Sequence, residues 1–247
     1  MVDKLGMLKP VQVHGLETYP QVSNWPDNGA EALLCALARA DFPVTKLELL
    51  GIDLYGRAGD TAVGIGAWDS GAASWQSLTA LSLNNCGTPC GFDLGRRLSV
   101  ATSLEKLELT GEVYDTVILI DFLTSKLGTT KLRSLKLTGL FTRGSGLVRL
   151  LAQNAGTLRE LTLRYLCKGP EDCWRPLLGF IERELSLEHL NISSLETFGV
   201  QGMHRTHYID EYGATKFDFK GQKAVRDELL ALRTRGRYEA VEDYVWT

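Results

Sequence analysis

Six nine-residue segments of this chain align on one another without a gap: VTKLELLGI (44–52), LTALSLNNC (78–86), LEKLELTGE (104–112), LRSLKLTGL (132–140), LRELTLRYL (158–166) and LEHLNISSL (187–195). Each reads apolar-x-x-Leu-x-apolar-x-x-variable, and in five of the six the last position is apolar or Cys. A fainter copy, LKPVQVHGL, occupies 8–16, and successive starts lie 36, 34, 26, 28, 26 and 29 residues apart. The Leu-x-apolar centre alternates with period two, so a short strand buries one face and exposes the other. The apolar residues three positions before and after turn inward as the chain enters and leaves the strand. One such unit cannot cover its own apolar edge. Stacked on a neighbour it can, and the strands then pair in parallel.

Between these strands the pattern shifts to helical spacing. Residues 28–39 open with Asn28 and Glu31 in a capping-box spacing and carry Leu33, Leu34 and Leu37 on one face. Residues 115–126 begin acidic, end in lysine and meet Gly128. Residues 146–155 align Leu147, Leu150 and Leu151 before Gly156, and Pro176 stands in the first turn of a segment carrying Leu177, Leu178, Ile181 and Leu185. Short strands alternating with helices at 26–29 residues predict an α/β solenoid, a curved parallel sheet with helices on its convex side.

In this they resemble leucine-rich-repeat proteins of the ribonuclease-inhibitor-like kind, over residues 8–195, with LEKLELTG, LRSLKLTG and LRELTLRY as the clearest copies. The irregular repeat lengths and the stretch HYIDEYGATKFDFKGQKAVRDELL look, more narrowly, like the repeat region of fungal F-box proteins. That resemblance implies repeats that select a target, with an F-box docking on the adaptor of a cullin-type ubiquitin ligase. An F-box takes some 40 residues of helical sequence, whereas a repeat-like segment here begins by Leu8. The expectation is therefore a receptor region without its F-box, and an adaptor partner only if one precedes the chain. Seven irregular repeats are expected over 1–198, then a polar-aromatic loop and a helical cap over 199–247. Residues 1–7 are too few to cap the first repeat, so the chain is expected to be a fragment or to have that edge covered by a partner. At the other end, residues 221–235 align Val225, Leu229 and Leu232 before Gly236, and Tyr238, Val241, Tyr244, Val245 and Trp246 follow.

Composition narrows the function classes. With 23% charged residues and a net charge of −3, the chain has no basic stripe, so no nucleic-acid partner is expected. No stretch approaches the roughly 20 apolar residues of a membrane span, and no export signal opens the chain, so no membrane association is expected. Five cysteines without a dense framework suggest a reducing compartment, cytosol or nucleus.

Catalytic and metal patterns are weak. The loop 56–74 is rich in glycine and alanine, but Gly64, Gly66 and Gly71 do not make GxGxxG and no P-loop Lys-Ser/Thr follows. His204 and His207 stand three apart, a spacing that could put two metal ligands on one helical turn, with Asp210 and Glu211 nearby. This makes a metal-binding or enzymatic protein the alternative reading, and a truncated product without a partner the third. Surface charge and solvated histidines explain the same residues as well. Cys86 with Cys90, and Cys167 with Cys173, fit core packing better than a zinc site spread over three repeats. No nucleophile elbow or triad is present, and the sequon at Asn191 lies within a strand. No enzyme activity, cofactor or metal is expected.

What remains is a binding surface. By register the strands expose Lys46, Glu48 and Leu50; Ala80, Ser82 and Asn84; Lys106, Glu108 and Thr110; Ser134, Lys136 and Thr138; Glu160, Thr162 and Arg164; and His189, Asn191 and Ser193. Glu108 and Lys136 fall on neighbouring strands and are expected to pair. The expected contact set for a protein partner is Glu108, Lys136, Thr162, Arg164, His189 and Asn191 on the concave face, with His204, Arg205, His207, Tyr208 and Tyr212 from the adjoining loop. The loop supplies the aromatic anchors that the strands lack.

Overall fold

A computed structural model of the chain describes residues 11–17, 44–50, 76–84, 100–111, 124, 131–142, 144–168, 174–198, 205–209 and 215–240. In chain order the strands are β1 (Val11–Glu17), β2 (Val44–Leu50), β3 (Ala80–Asn84), β4 (Lys106–Thr110), β5 (Ser134–Thr138) and β6 (Phe141–Thr142). Helix α1 (Gly144–Gln153) leads to β7 (Glu160–Arg164) and β8 (Cys167–Lys168), and helix α2 (Trp174–Glu184) to β9 (His189–Ser193) and β10 (Leu195–Phe198). The chain then runs through β11 (Arg205–Ile209), β12 (Lys216–Lys220), helix α3 (Gln222–Arg235) and β13 (Arg237–Ala240).

The fold is α/β, built on an open eight-stranded sheet in the order β1-β2-β3-β4-β5-β7-β9-β12. Its first seven strands are parallel and β12 is antiparallel to β9. The alignment of the repeats is the alignment of the sheet: Leu81, Leu107, Leu135, Leu161 and Leu190 pair strand to strand, as do Leu109, Leu137, Leu163 and Ile192. All nine are buried, and so are Leu104, Leu132, Leu158 and Leu187 before the strands and Leu140, Leu166 and Leu195 after them. The described positions that the pattern turns inward in these units are therefore in one continuous core.

Where each strand begins, one carbonyl of the preceding unit serves two amides. Thr79 O accepts from Glu105 and Lys106 N–H, Glu105 O from Arg133 and Ser134, Arg133 O from Arg159 and Glu160, and Arg159 O from Glu188 and His189. These backbone bonds help to fix the register between neighbouring strands. Five residues after each strand start the chain turns a corner, at Gly139 (φ +68°), Tyr165 (φ +50°) and Ser194 (φ +52°). Beyond the corner, β6, β8 and β10 pair in parallel as a second ladder. That ladder continues antiparallel through β11 and β13.

Helix α1 buries Leu147, Leu150 and Leu151, and α2 buries Trp174, Leu177, Leu178 and Ile181, with Leu185 just past its end. Asn154 closes α1 from inside the protein: its Oδ1 accepts from Leu132 N–H at 3.3 Å, and its Nδ2 donates to Leu150 O at 3.0 Å. That arrangement satisfies carbonyl and amide groups that a helix end leaves open. Helix α3 buries Val225, Leu229 and Leu232 and ends at Gly236, the span and face expected from its spacing.

The segment 199–221 departs from the expected loop. It contributes β11, which continues the second ladder, and β12, which closes the large sheet. Phe217 packs inward, Phe219 lies beside it with ring centroids 6.0 Å apart, and Lys216, Asp218 and Lys220 face the other way. Charged side chains on an edge strand discourage pairing with a further chain. The helix expected at 28–39, the loop 56–74, Cys86, Cys90, Cys173, nearly all of 115–126 and the aromatic stretch after Ala240 lie outside the described residues. Among the described residues no helix is long and apolar enough to cross a membrane.

Candidate functional site

The face of the large sheet opposite the leucines carries its side chains in three rows, because the register does not slip from β2 to β9. The first row runs Ala80, Lys106, Ser134, Glu160, His189 and Lys220; the second Glu48, Ser82, Glu108, Lys136, Thr162, Asn191 and Asp218. The third runs Thr110, Thr138, Arg164, Ser193 and Lys216. Most are half-exposed, as the alternation requires. Glu108 and Lys136 form the ion pair expected of them. It is partly exposed, so it contributes at most about 1 kcal/mol and serves to align the two strands.

The polar groups are most densely connected where β12 closes the sheet. Arg164 Nε donates to Asn191 Oδ1 at 2.9 Å, and His189 Nε2 lies 2.5 Å from Asp218 Oδ1. An ionised aspartate can only accept, so the proton sits on Nε2 of the imidazole. The His189 hydrogen bond, and then one from Asn191, hold the Asp218 carboxyl below its ordinary range. Arg164, Asn191, Asp218 and His189 thus form one relay across three strands.

The same region changes two of the positions expected to be exposed, one of them an expected contact. Asn191 and Ser193 were expected on the exposed surface but are buried, with relative exposures of 6% and 7%. The cause is β12, whose residues pair directly with them. Asn191 therefore positions Arg164 and Asp218 and is not itself presented to a partner. Arg164, Thr162 and His189 remain half-exposed.

The expected aromatic loop is also redistributed. Tyr208 is 1% exposed and its hydroxyl donates to Leu232 O at 2.9 Å, tying β11 to the end of α3. It belongs to the core and not to a binding surface, because the strand it sits on is covered by α3. Arg205 and His207 lie on the same strand, where His207 pairs with Glu196 on β10 and Glu239 on β13. His207 thus lies on a strand and not on a helical turn. His204 and Tyr212 lie outside the described residues. Among the described residues no three His, Cys, Asp or Glu side chains gather closely enough to hold a metal ion.

One surface residue escaped the sequence reading. Tyr165 is 55% exposed and adopts a left-handed backbone beside Arg164. Units before it place Gly111 and Gly139 at the same corner. A large side chain there is disfavoured by about 1–2 kcal/mol relative to glycine. The signal was a bulky tyrosine at a position where three of the six aligned copies carry glycine and the other two carry Asn or Ser. Comparison with known proteins adds no name to this surface: no family model, no curated protein and no solved structure matches the chain.

Proposed function

We propose that the chain is a leucine-rich-repeat solenoid that binds a protein partner on the open, concave face of its large sheet. In this reading it is a non-catalytic recognition module, the substrate-selecting region of an F-box-like ubiquitin-ligase receptor. The observation that carries it is the unbroken register of the open face, which sets half-exposed donors, acceptors and both signs of charge at strand spacing. Such a surface reads a partner by hydrogen bonds and charge complementarity. Arg164 and Tyr165 add the guanidinium and aromatic anchors typical of strongly contributing contacts. The relay through Asn191 and Asp218 holds this end rigid, so less order is lost on binding. The ligase role rests on the resemblance of the repeats and of the stretch 207–230 to fungal F-box proteins.

The test pairs capture with a surface variant. A true partner is retained by the native chain and falls at least about tenfold with Arg164→Glu plus Tyr165→Gly, while circular dichroism stays unchanged. A partner held equally by both chains sinks the open-face reading. For the ligase role, the captured protein accumulates in cells that lack this chain; an unchanged level rejects that role and leaves the binding surface standing.

A further inference from the structure

On the leucine side of the sheet, α2 and α3 lie against each other, joined by Arg233 Nε and Glu182 Oε2 at 3.1 Å. Between them is an open cleft of about 330 Å³ lined by Arg175, Pro176, Gly179, Arg183, Arg233 and Thr234. Three of these six side chains are guanidinium groups and none is acidic. Arg233 also pairs with Glu182.

The cleft exists because its floor is glycine. A Cβ at Gly179 would stand 3.1 Å from Arg183 Nη1 and 3.8 Å from Arg233 Nη1, and 3.2 Å from Arg233 Cδ. The two guanidinium nitrogens therefore converge on one point and lie within about 7 Å of each other. Like charges so placed repel unless something negative sits between them. Arg175 approaches from the first turn of α2, held by a hydrogen bond from Nη2 to Gly236 O at 2.8 Å. That turn has no acidic residue, and a helix start already carries partial positive charge. Glycine is the least favoured helix residue after proline, so its use mid-helix asks for a reason. Arg183 is exposed and has no ion-pair partner among the described residues.

We infer that this cleft binds the phosphate group of a small phosphate monoester, with Arg183 and Arg233 opposed across it and Arg175 at its rim. A monoester carries about −1.5 to −2 charge at neutral pH, and the planar guanidinium forks of Arg183 and Arg233 suit its oxygens. The volume is at the low end of small-molecule sites, which leaves room for an organic group beyond the phosphate. The site is independent of the open face, since the sheet lies between them.

Calorimetric titration of the full chain with phenyl phosphate, inorganic phosphate and sodium chloride at matched ionic strength tests it. Phenyl phosphate is expected to bind one-to-one and more tightly than inorganic phosphate. Arg183→Gln weakens it about tenfold or more, and Arg183→Glu abolishes it, with the urea midpoint unmoved in both because Arg183 is outside the core. No saturable binding beyond chloride, or undiminished binding in Arg183→Gln, overturns the site. Equal affinity for the two phosphates overturns the monoester.

Discussion

Gly139 turns the chain at φ +68°, and a Cβ built there would collide with the carbonyl oxygen of Gly111 in the preceding unit. Backbone strain and the clash act together, so Gly139→Ala is expected to lower stability by about 2–4 kcal/mol, read from urea unfolding. The same corner predicts the opposite for its neighbour: Tyr165→Gly leaves stability within about 1 kcal/mol, since relief of strain offsets added freedom in the unfolded chain. Asp218 gives a residue-scale effect of pH. Its carboxyl is depressed in the folded state, so its contribution is present above the ordinary aspartate range and is lost as pH falls through the lower folded value. Asp218→Asn should therefore flatten the decline of the urea midpoint between about pH 5 and pH 2; an unchanged slope would reject the relay. At this scale the sequence was partly legible. The pairing of Glu108 with Lys136 followed from register alone, whereas the burial of Asn191 did not, because the strand covering it carries none of the repeat pattern.

Helices α1, α2 and α3 were readable because each places leucines at helical spacing beside a start or stop signal, Gly156 after α1, Pro176 in the first turn of α2 and Gly236 after α3. β11 and β12 were not. KFDFK alternates with period two, but it is five residues long and lies among Gly, Asp and Tyr, where a loop is the ordinary expectation. Only tertiary pairing with β9 and cover from α3 make it a strand. The dependence runs through α3, whose Leu229 is fully buried. Leu229→Ala is expected to cost about 2–5 kcal/mol. Amide exchange should accelerate first at 216–220 and 237–240, with β4 and β5 still protected; uniform acceleration across all strands would contradict this division.

Among the described residues, most contacts between elements run between sheet neighbours and between consecutive helices, with α3 also packed on β12 and β9. The hydrogen-bond ladder does the same, each unit's backbone serving only the next. Near β12 both ladders reverse direction, which ends the parallel propagation.

The carbonyl that serves two amides at each strand start gives this architecture a hereditary consequence. Because every junction from β3 to β9 uses the same backbone handshake, a duplicated stretch such as 132–157 would find on both sides the partners it left. The array could lengthen or shorten in whole units without redesign of its closing strands. The width of its sheet is thus a quantity that recombination can tune, one strand at a time.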